Sequence, residues 1–129
     1  MARKRSVPLT EAEQRLMEVM WQLGAASLGQ IVDAIPLADR PAHNTVQTTL
    51  KILETKGYVE HRAQGRAFVY SPLVDRETAA RTALTYVTQR FFGGSPASVA
   101  LNLIDDAAIT PEQLDELRHR IDAAKRAQR

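Results

Sequence analysis

The sequence predicts a mainly α-helical protein with one small β-hairpin. Apolar residues recur at helical spacing behind residues that cap helix N termini. One short stretch instead alternates apolar and polar residues around a glycine, as hairpin strands do. A length of 129 residues supports one domain, or one domain with a small appendage.

The first two helices are predicted from their caps. Residues 10–13 (TEAE) and 27–30 (SLGQ) each form a capping box, in which a hydroxyl and a carboxylate or amide satisfy two free backbone amides. Apolar residues follow both boxes at helical spacing. Gly24 ends the first helix and Pro36 ends the second.

A third helix and the hairpin come next. The helix begins near residues 42–43 and closes at Gly57. Strands are predicted over 58–62 and 66–71, joined by a loop at 63–65 that contains a glycine. Three short helices followed by a two-stranded wing are typical of a winged helix-turn-helix domain, which we expect to cover residues 1–72.

The remaining residues, 73–129, are predicted to form a second region of three helices. Asp75 caps a long helix that ends before Gly93, and Ser95 caps a second one. Residues 105–109 read as a loop, after which Thr110 opens the last helix.

The apolar stripes of this C-terminal region predict dimerisation. Some 55 residues of three helices are marginal alone, so their stripes need a partner surface. The alternative is that they fold back on the first half as one larger core. The candidate dimerisation residues are Leu84, Val87, Phe91, Leu101, Leu114, Leu117 and Ile121.

Polar residues on the outer face of the third helix are candidates for DNA contact. Gln pairs with adenine in the major groove, and Thr offers a hydroxyl and a methyl group to base edges. Basic residues around the hairpin tip suit DNA phosphates. The alternative is a solvated polar surface. The candidate residues are His43, Asn44, Thr45, Gln47, Thr48, Lys51, Arg62 and Arg66.

Composition argues against several other classes. The chain has no cysteine, which excludes disulfides and thiol chemistry and fits a reducing compartment. Its apolar runs are all shorter than the ~20 residues that span a bilayer, so we expect no membrane insertion. The start, MARKRSVPL, lacks an apolar stretch, so a cytoplasmic location is expected. The net charge of +2 lies in residues 1–71.

The serines, glycines and histidines of the sequence give no sign of an active site. The serines are caps or turn residues, and no glycine-rich phosphate loop is present. His43, His61 and His119 lack the spacing of metal ligands. We therefore expect neither enzymatic activity nor a metal or cofactor.

Four segments resemble the penicillinase and methicillin-resistance repressor family (BlaI/MecI, with the copper-responsive CopY relatives). They are LTEAEQRLMEVMW, TVQTTLKILETKGYVEHRAQGRAFVYSPLV, SVALNLIDD and TPEQLDEL, and the resemblance covers about residues 9–121. It implies a homodimeric winged-helix repressor of a palindromic double-stranded DNA operator. Thr45, Thr48 and Arg66 match positions of the family's DNA contacts. The absence of cysteine argues against the metal sensing of the copper branch.

The resemblance also implies a route of inactivation for some members. In these, a membrane sensor-protease pathway ends in cleavage within the dimerisation region. The matching bond here is Asn102–Leu103, where typical members have Asn-Phe.

From the predicted fold and the family resemblance together, we expect a transcriptional repressor. The alternative is a winged-helix protein-interaction module that does not bind DNA sequence-specifically.

Overall fold

The computed structural model describes residues 7–106 and 108–128. The chain forms two compact units, of which the first ends at Val87 and the second begins at Thr88. Helices are α1 (Glu11–Leu23), α2 (Leu28–Ala34), α3 (His43–Lys56), α4 (Arg76–Phe91), α5 (Pro96–Asp106) and α6 (Pro111–Ala127). Strands are β1 (Ala26–Ser27), β2 (Val59–Gln64) and β3 (Ala67–Pro72), and a 3₁₀ turn covers Leu37–Asp39.

The predicted caps are confirmed. Thr10, Ser27 and Thr110 each accept a hydrogen bond from a backbone amide three residues on, and the side chain at that residue accepts one in return. Gly57 ends α3 with φ of 88°, in the left-handed region that glycine adopts without strain. Asp75 accepts the Thr78 amide at 2.8 Å and so caps α4.

The sheet has three antiparallel strands in the order β1-β3-β2. The hairpin pairs Val59 with Pro72 and Gln64 with Ala67. The short β1, which was not predicted from the sequence, pairs with the edge of β3 opposite to β2. Ser27 serves as a residue of β1 and as the cap of α2, so this strand also fixes where α2 begins.

The hairpin turn differs from its prediction. The loop expected at 63–65 is wrong, because pairing continues through Gln64 and only Gly65 and Arg66 remain unpaired. Gly65 has φ of 64° and takes the first position of a two-residue turn, where glycine is favoured. Arg66 therefore lies in the turn itself instead of starting the second strand.

The core lies between α1, α2, α3 and the sheet, within the first unit. Met17, Met20, Ile31, Leu50 and Leu53 are fully buried. The first unit continues into α4, because Val74 and Ala79 belong to the same buried cluster. The Trp21 indole also donates a hydrogen bond to the Val74 carbonyl at 2.7 Å.

The second unit contains α5 and α6, which the sequence predicted. The predicted loop at 105–109 is wrong at its start, because Asp105 and Asp106 belong to α5. Neither α5 nor α6 has a buried residue among those described. The functional boundary expected between residues 72 and 73 stays a prediction.

Candidate nucleic-acid interface

The third helix presents one apolar and one polar face. Val46, Leu50 and Leu53 are buried, and this spacing turns the rest of the helix outward. All six predicted contact residues of α3 are exposed: His43, Asn44, Thr45, Gln47, Thr48 and Lys51. They therefore form one continuous polar surface over the first two and a half turns of the helix.

Two other threonines of α3 turn their hydroxyls into the helix. Thr49 donates to the Thr45 carbonyl at 2.8 Å, and Thr55 donates to the Lys51 carbonyl at 3.0 Å. Such back-bonding occupies the hydroxyl proton. Thr49 is half-buried as well, so it is less suited to reading DNA than its exposed neighbours.

Arg40 stabilises the segment that leads from α2 into α3, and this role was not predicted from the sequence. Its guanidinium donates to the Ile35 carbonyl at 2.8 and 3.0 Å and to the Asp33 carbonyl at 3.1 Å. These carbonyls belong to the end of α2, where helices leave unsatisfied acceptors. Arg40 therefore fixes the turn between α2 and α3. Its place just after a helix end and before Pro41 was the only sequence feature pointing to this role.

The far end of α3 is held by Lys56. Its ammonium contacts the Glu13 carboxylate of α1 at 2.6 Å and the Pro8 carbonyl at 3.4 Å. Burial alone would raise the pKa of Glu13, but its hydrogen bonds with Lys56 and Thr10 outweigh burial and lower it. The carboxylate therefore stays charged and anchors the last turn of α3 to α1.

The wing carries two exposed arginines. The Arg62 side chain is 82% exposed and lies 3.6 Å from the Glu60 carboxylate. Arg66 is exposed at the turn. An exposed ion pair such as Arg62–Glu60 contributes little to stability, so the Arg62 guanidinium remains available to phosphate. The exposed Arg66 guanidinium is available as well. Phe68 of β3 is half-exposed, whereas Tyr70 is buried.

The C-terminal stripe is solvent-exposed in the single chain. Every predicted dimerisation residue is exposed by more than a third of its surface. Phe91 is 73% exposed and Leu101 is 61% exposed. Leu114, Leu117 and Ile121 lie along one side of α6 at spacings of three and four residues.

The chain matches the model of a known protein family. The model described as "Penicillinase repressor" matches residues 9–123, nearly the whole chain. The chain belongs to the penicillinase repressor family. The resemblance inferred from the sequence is therefore confirmed.

The sequences of individual relatives support the same family assignment. The chain is 26% identical over 114 residues to the penicillinase repressor of Bacillus licheniformis, covering 88% of this chain and 89% of that protein. It is 23% identical over 112 residues to the methicillin resistance regulatory protein MecI of Staphylococcus aureus strain N315, covering 86% and 90%.

A solved structure confirms the winged-helix fold. The DNA binding domain of the repressor BlaI matches with a TM-score of 0.53 and 27% identity, over 60% of this chain and 93% of that one. The prediction of a mainly α protein with a winged helix-turn-helix domain is therefore confirmed.

The bond predicted to be cleaved, Asn102–Leu103, lies inside α5. Asn102 and Leu103 are both exposed residues of α5, and the side-chain Nδ2 of Asn102 donates to the Ser98 carbonyl at 2.9 Å. Within the described residues, no helix is long and apolar enough to cross a membrane. The same residues contain no group of three or more His, Asp or Glu arranged for a metal ion.

Proposed function

We propose that this penicillinase-repressor family member is a cytoplasmic, homodimeric transcriptional repressor of a palindromic DNA operator. Each subunit would place α3 in the major groove and lay its wing along the backbone. The observation that carries this proposal is the exposed polar face of α3, followed at once in the chain by a hairpin with an arginine in its turn. A B-DNA major groove admits one α-helix, and the wing then lies beside it.

The residues of this surface divide into two roles. Gln47 and Thr48 lie mid-face, where side chains meet base edges, so we assign them sequence preference. Arg62 and Arg66 on the wing and Lys51 on α3 are assigned to phosphates. His43, Asn44 and Thr45 occupy the first turn of α3, where free backbone amides also favour a phosphate.

Dimerisation through the C-terminal helices is supported by their exposure. Helix α6 has 17 residues and three large apolar side chains, but none of its residues is buried. Packing within its own chain therefore contributes little to its stability. Fully burying each such side chain contributes about 1.5–3 kcal/mol. A second copy of the chain supplies an identical apolar surface, as a two-fold dimer requires.

Cleavage at Asn102–Leu103 is the proposed switch, initiated by a membrane sensor-protease pathway. The cut would separate α6, with Leu114, Leu117 and Ile121, from the rest of the chain. Since the bond lies within α5, the helix must open locally before a protease can reach its backbone. Splitting the dimer would forfeit the gain of about 10²–10⁴ in affinity that linked half-sites provide.

The experiment is to measure DNA binding as a function of salt concentration. The logarithm of the affinity for upstream DNA of the protein's own gene should fall linearly with the logarithm of salt. Arg66→Ala should reduce that slope by about one. Arg81→Ala removes an arginine of α4 whose side chain is 74% exposed, and it should leave the slope unchanged. Salt-independent binding, or equal affinity for random DNA, would contradict the proposal.

A further inference from the structure

A hydrogen-bonded pair joins the recognition helix to the wing. The Nδ1 atom of His61 lies 2.8 Å and 2.9 Å from the two carboxylate oxygens of Glu54. Glu54 belongs to the last turn of α3, and His61 is the third residue of β2. The Glu54 side chain is 26% exposed and the His61 side chain is 37% exposed. The pair therefore lies where the angle between the helix and the hairpin is set.

The His61 ring also packs against two aromatic side chains of β3. Its centroid lies 4.6 Å from that of Phe68 and 5.7 Å from that of Tyr70, with both rings tilted. His61 and Tyr70 are directly opposite in the strand pairing. Tyr70 is 5% exposed and belongs to the core. The imidazole thus contacts α3 through Glu54 and β3 through the two aromatic rings.

Beyond His61 the hairpin has little packing to fix its direction. Arg62, Ala63 and Gln64 of β2 are exposed, as are the first two residues of β3. A two-stranded hairpin is marginally stable by itself in water. From His61 to the turn at Gly65 the strand extends about 13 Å, at about 3.3 Å per residue. A tilt of about 10° at His61 would therefore move the tip by about 2 Å, which is enough to break a hydrogen bond to phosphate.

We propose that Glu54 and His61 are positioning residues for DNA binding. They hold the wing at the angle that lets Arg66 reach the backbone while α3 occupies the groove. This inference rests on the proposed function, because it requires that the wing contacts DNA. Neither side chain needs to touch DNA for this role.

A double-mutant cycle on operator affinity separates positioning from general support of the fold. In the wild-type background, Arg66→Ala should weaken binding by roughly tenfold, as expected for a lost charged contact. In the His61→Ala background the same change should cost less than about threefold, because the wing tip is already misplaced. His61→Asn, which keeps a donor near the Nδ1 position, should restore most of the coupling.

Controls keep the outcomes distinct. His119→Ala removes an exposed histidine of α6 and should leave the full effect of Arg66→Ala intact. Thermal unfolding of each variant reports stability separately. If His61→Ala does not fold, Glu54→Ala, which removes the group that accepts the hydrogen bond, replaces it in the cycle, with the same two outcomes.

Two results would overturn different conclusions. If wild-type protein binds the operator and Arg66→Ala costs the same factor in both backgrounds, the positioning role is wrong. The proposed function would then still stand. If the wild-type protein shows no salt-sensitive preference for the operator, the proposed function itself fails.

Discussion

Replacing Lys56 with methionine should destabilise the winged-helix unit at neutral pH. The change removes the ammonium that lies 2.6 Å from the Glu13 carboxylate and leaves a hydrophobic stem of similar length. The carboxylate side chain is 7% exposed and the lysine side chain is 19% exposed. Glu13 would then be a buried charge that lacks its cation.

The size of the effect follows from this burial. Removing one partner of a buried ion pair typically costs about 3–5 kcal/mol. Glu13 retains the Thr10 amide at 2.9 Å, and Lys56 is partly open to water, so we expect about 2–3 kcal/mol. For a unit of this size, that loss lowers the melting temperature by about 10–20 °C.

The dependence on pH supplies the discriminating assay. The folded-state pKa of Glu13 lies below its ordinary value of 4.5. The pair's stabilisation is therefore fully present above pH 4.5 and is lost as pH falls through the lowered pKa. Urea unfolding at about pH 7 and about pH 3.5 should show a large penalty for Lys56→Met at the first and a smaller one at the second.

A matched control is the exposed ion pair between Arg15 and Glu11, whose side chains are 66% and 81% exposed. Arg15→Met should cost at most about 0.5 kcal/mol at either pH. If Lys56→Met costs no more stability than Arg15→Met, or if its cost is the same in acid, the Glu13–Lys56 pair does not stabilise the fold in the way described.

Four further predictions concern recognition, assembly and packing. Thr48→Ala should reduce discrimination between operator and mutant operator by about 1–3 kcal/mol in competition binding. Leu117→Glu should shift sedimentation from dimer to monomer, whereas Leu37→Glu, at a residue 80% exposed in the 3₁₀ turn, should not. A chain ending at Asn102 should keep the circular dichroism of a folded winged helix and lose operator affinity. Trp21→Phe removes a part-buried hydrogen bond and should cost about 1 kcal/mol in thermal unfolding.

Local features of the fold were predictable because they depend on neighbouring residues. The capping box at Thr10 places both hydrogen bonds three residues apart, so the sequence alone specifies them. The apolar spacing of Val46, Leu50 and Leu53 likewise predicted which face of α3 is exposed. The outward position of the candidate DNA contacts followed directly from that spacing.

Features that join distant residues were not predictable in this way. The strand at Ser27 exists only because β3 passes beside it, with Val69 as its partner. Glu13 was identified as a capping residue, but its ion pair with Lys56 spans 43 positions. No periodicity or turn signature relates such positions. The contact between Glu54 and His61 was missed for a similar reason, since the hairpin must fold before their side chains meet.

Footprinting on DNA upstream of the protein's own gene shows whether a dimer binds a palindromic operator there. We expect two protected half-sites of opposite orientation, with centres about 10–10.5 base pairs or a multiple of that apart. Both should become protected over the same range of protein concentration, since one dimer binds both. Protection of a single isolated half-site, or of none, would contradict a homodimeric repressor of a palindromic operator.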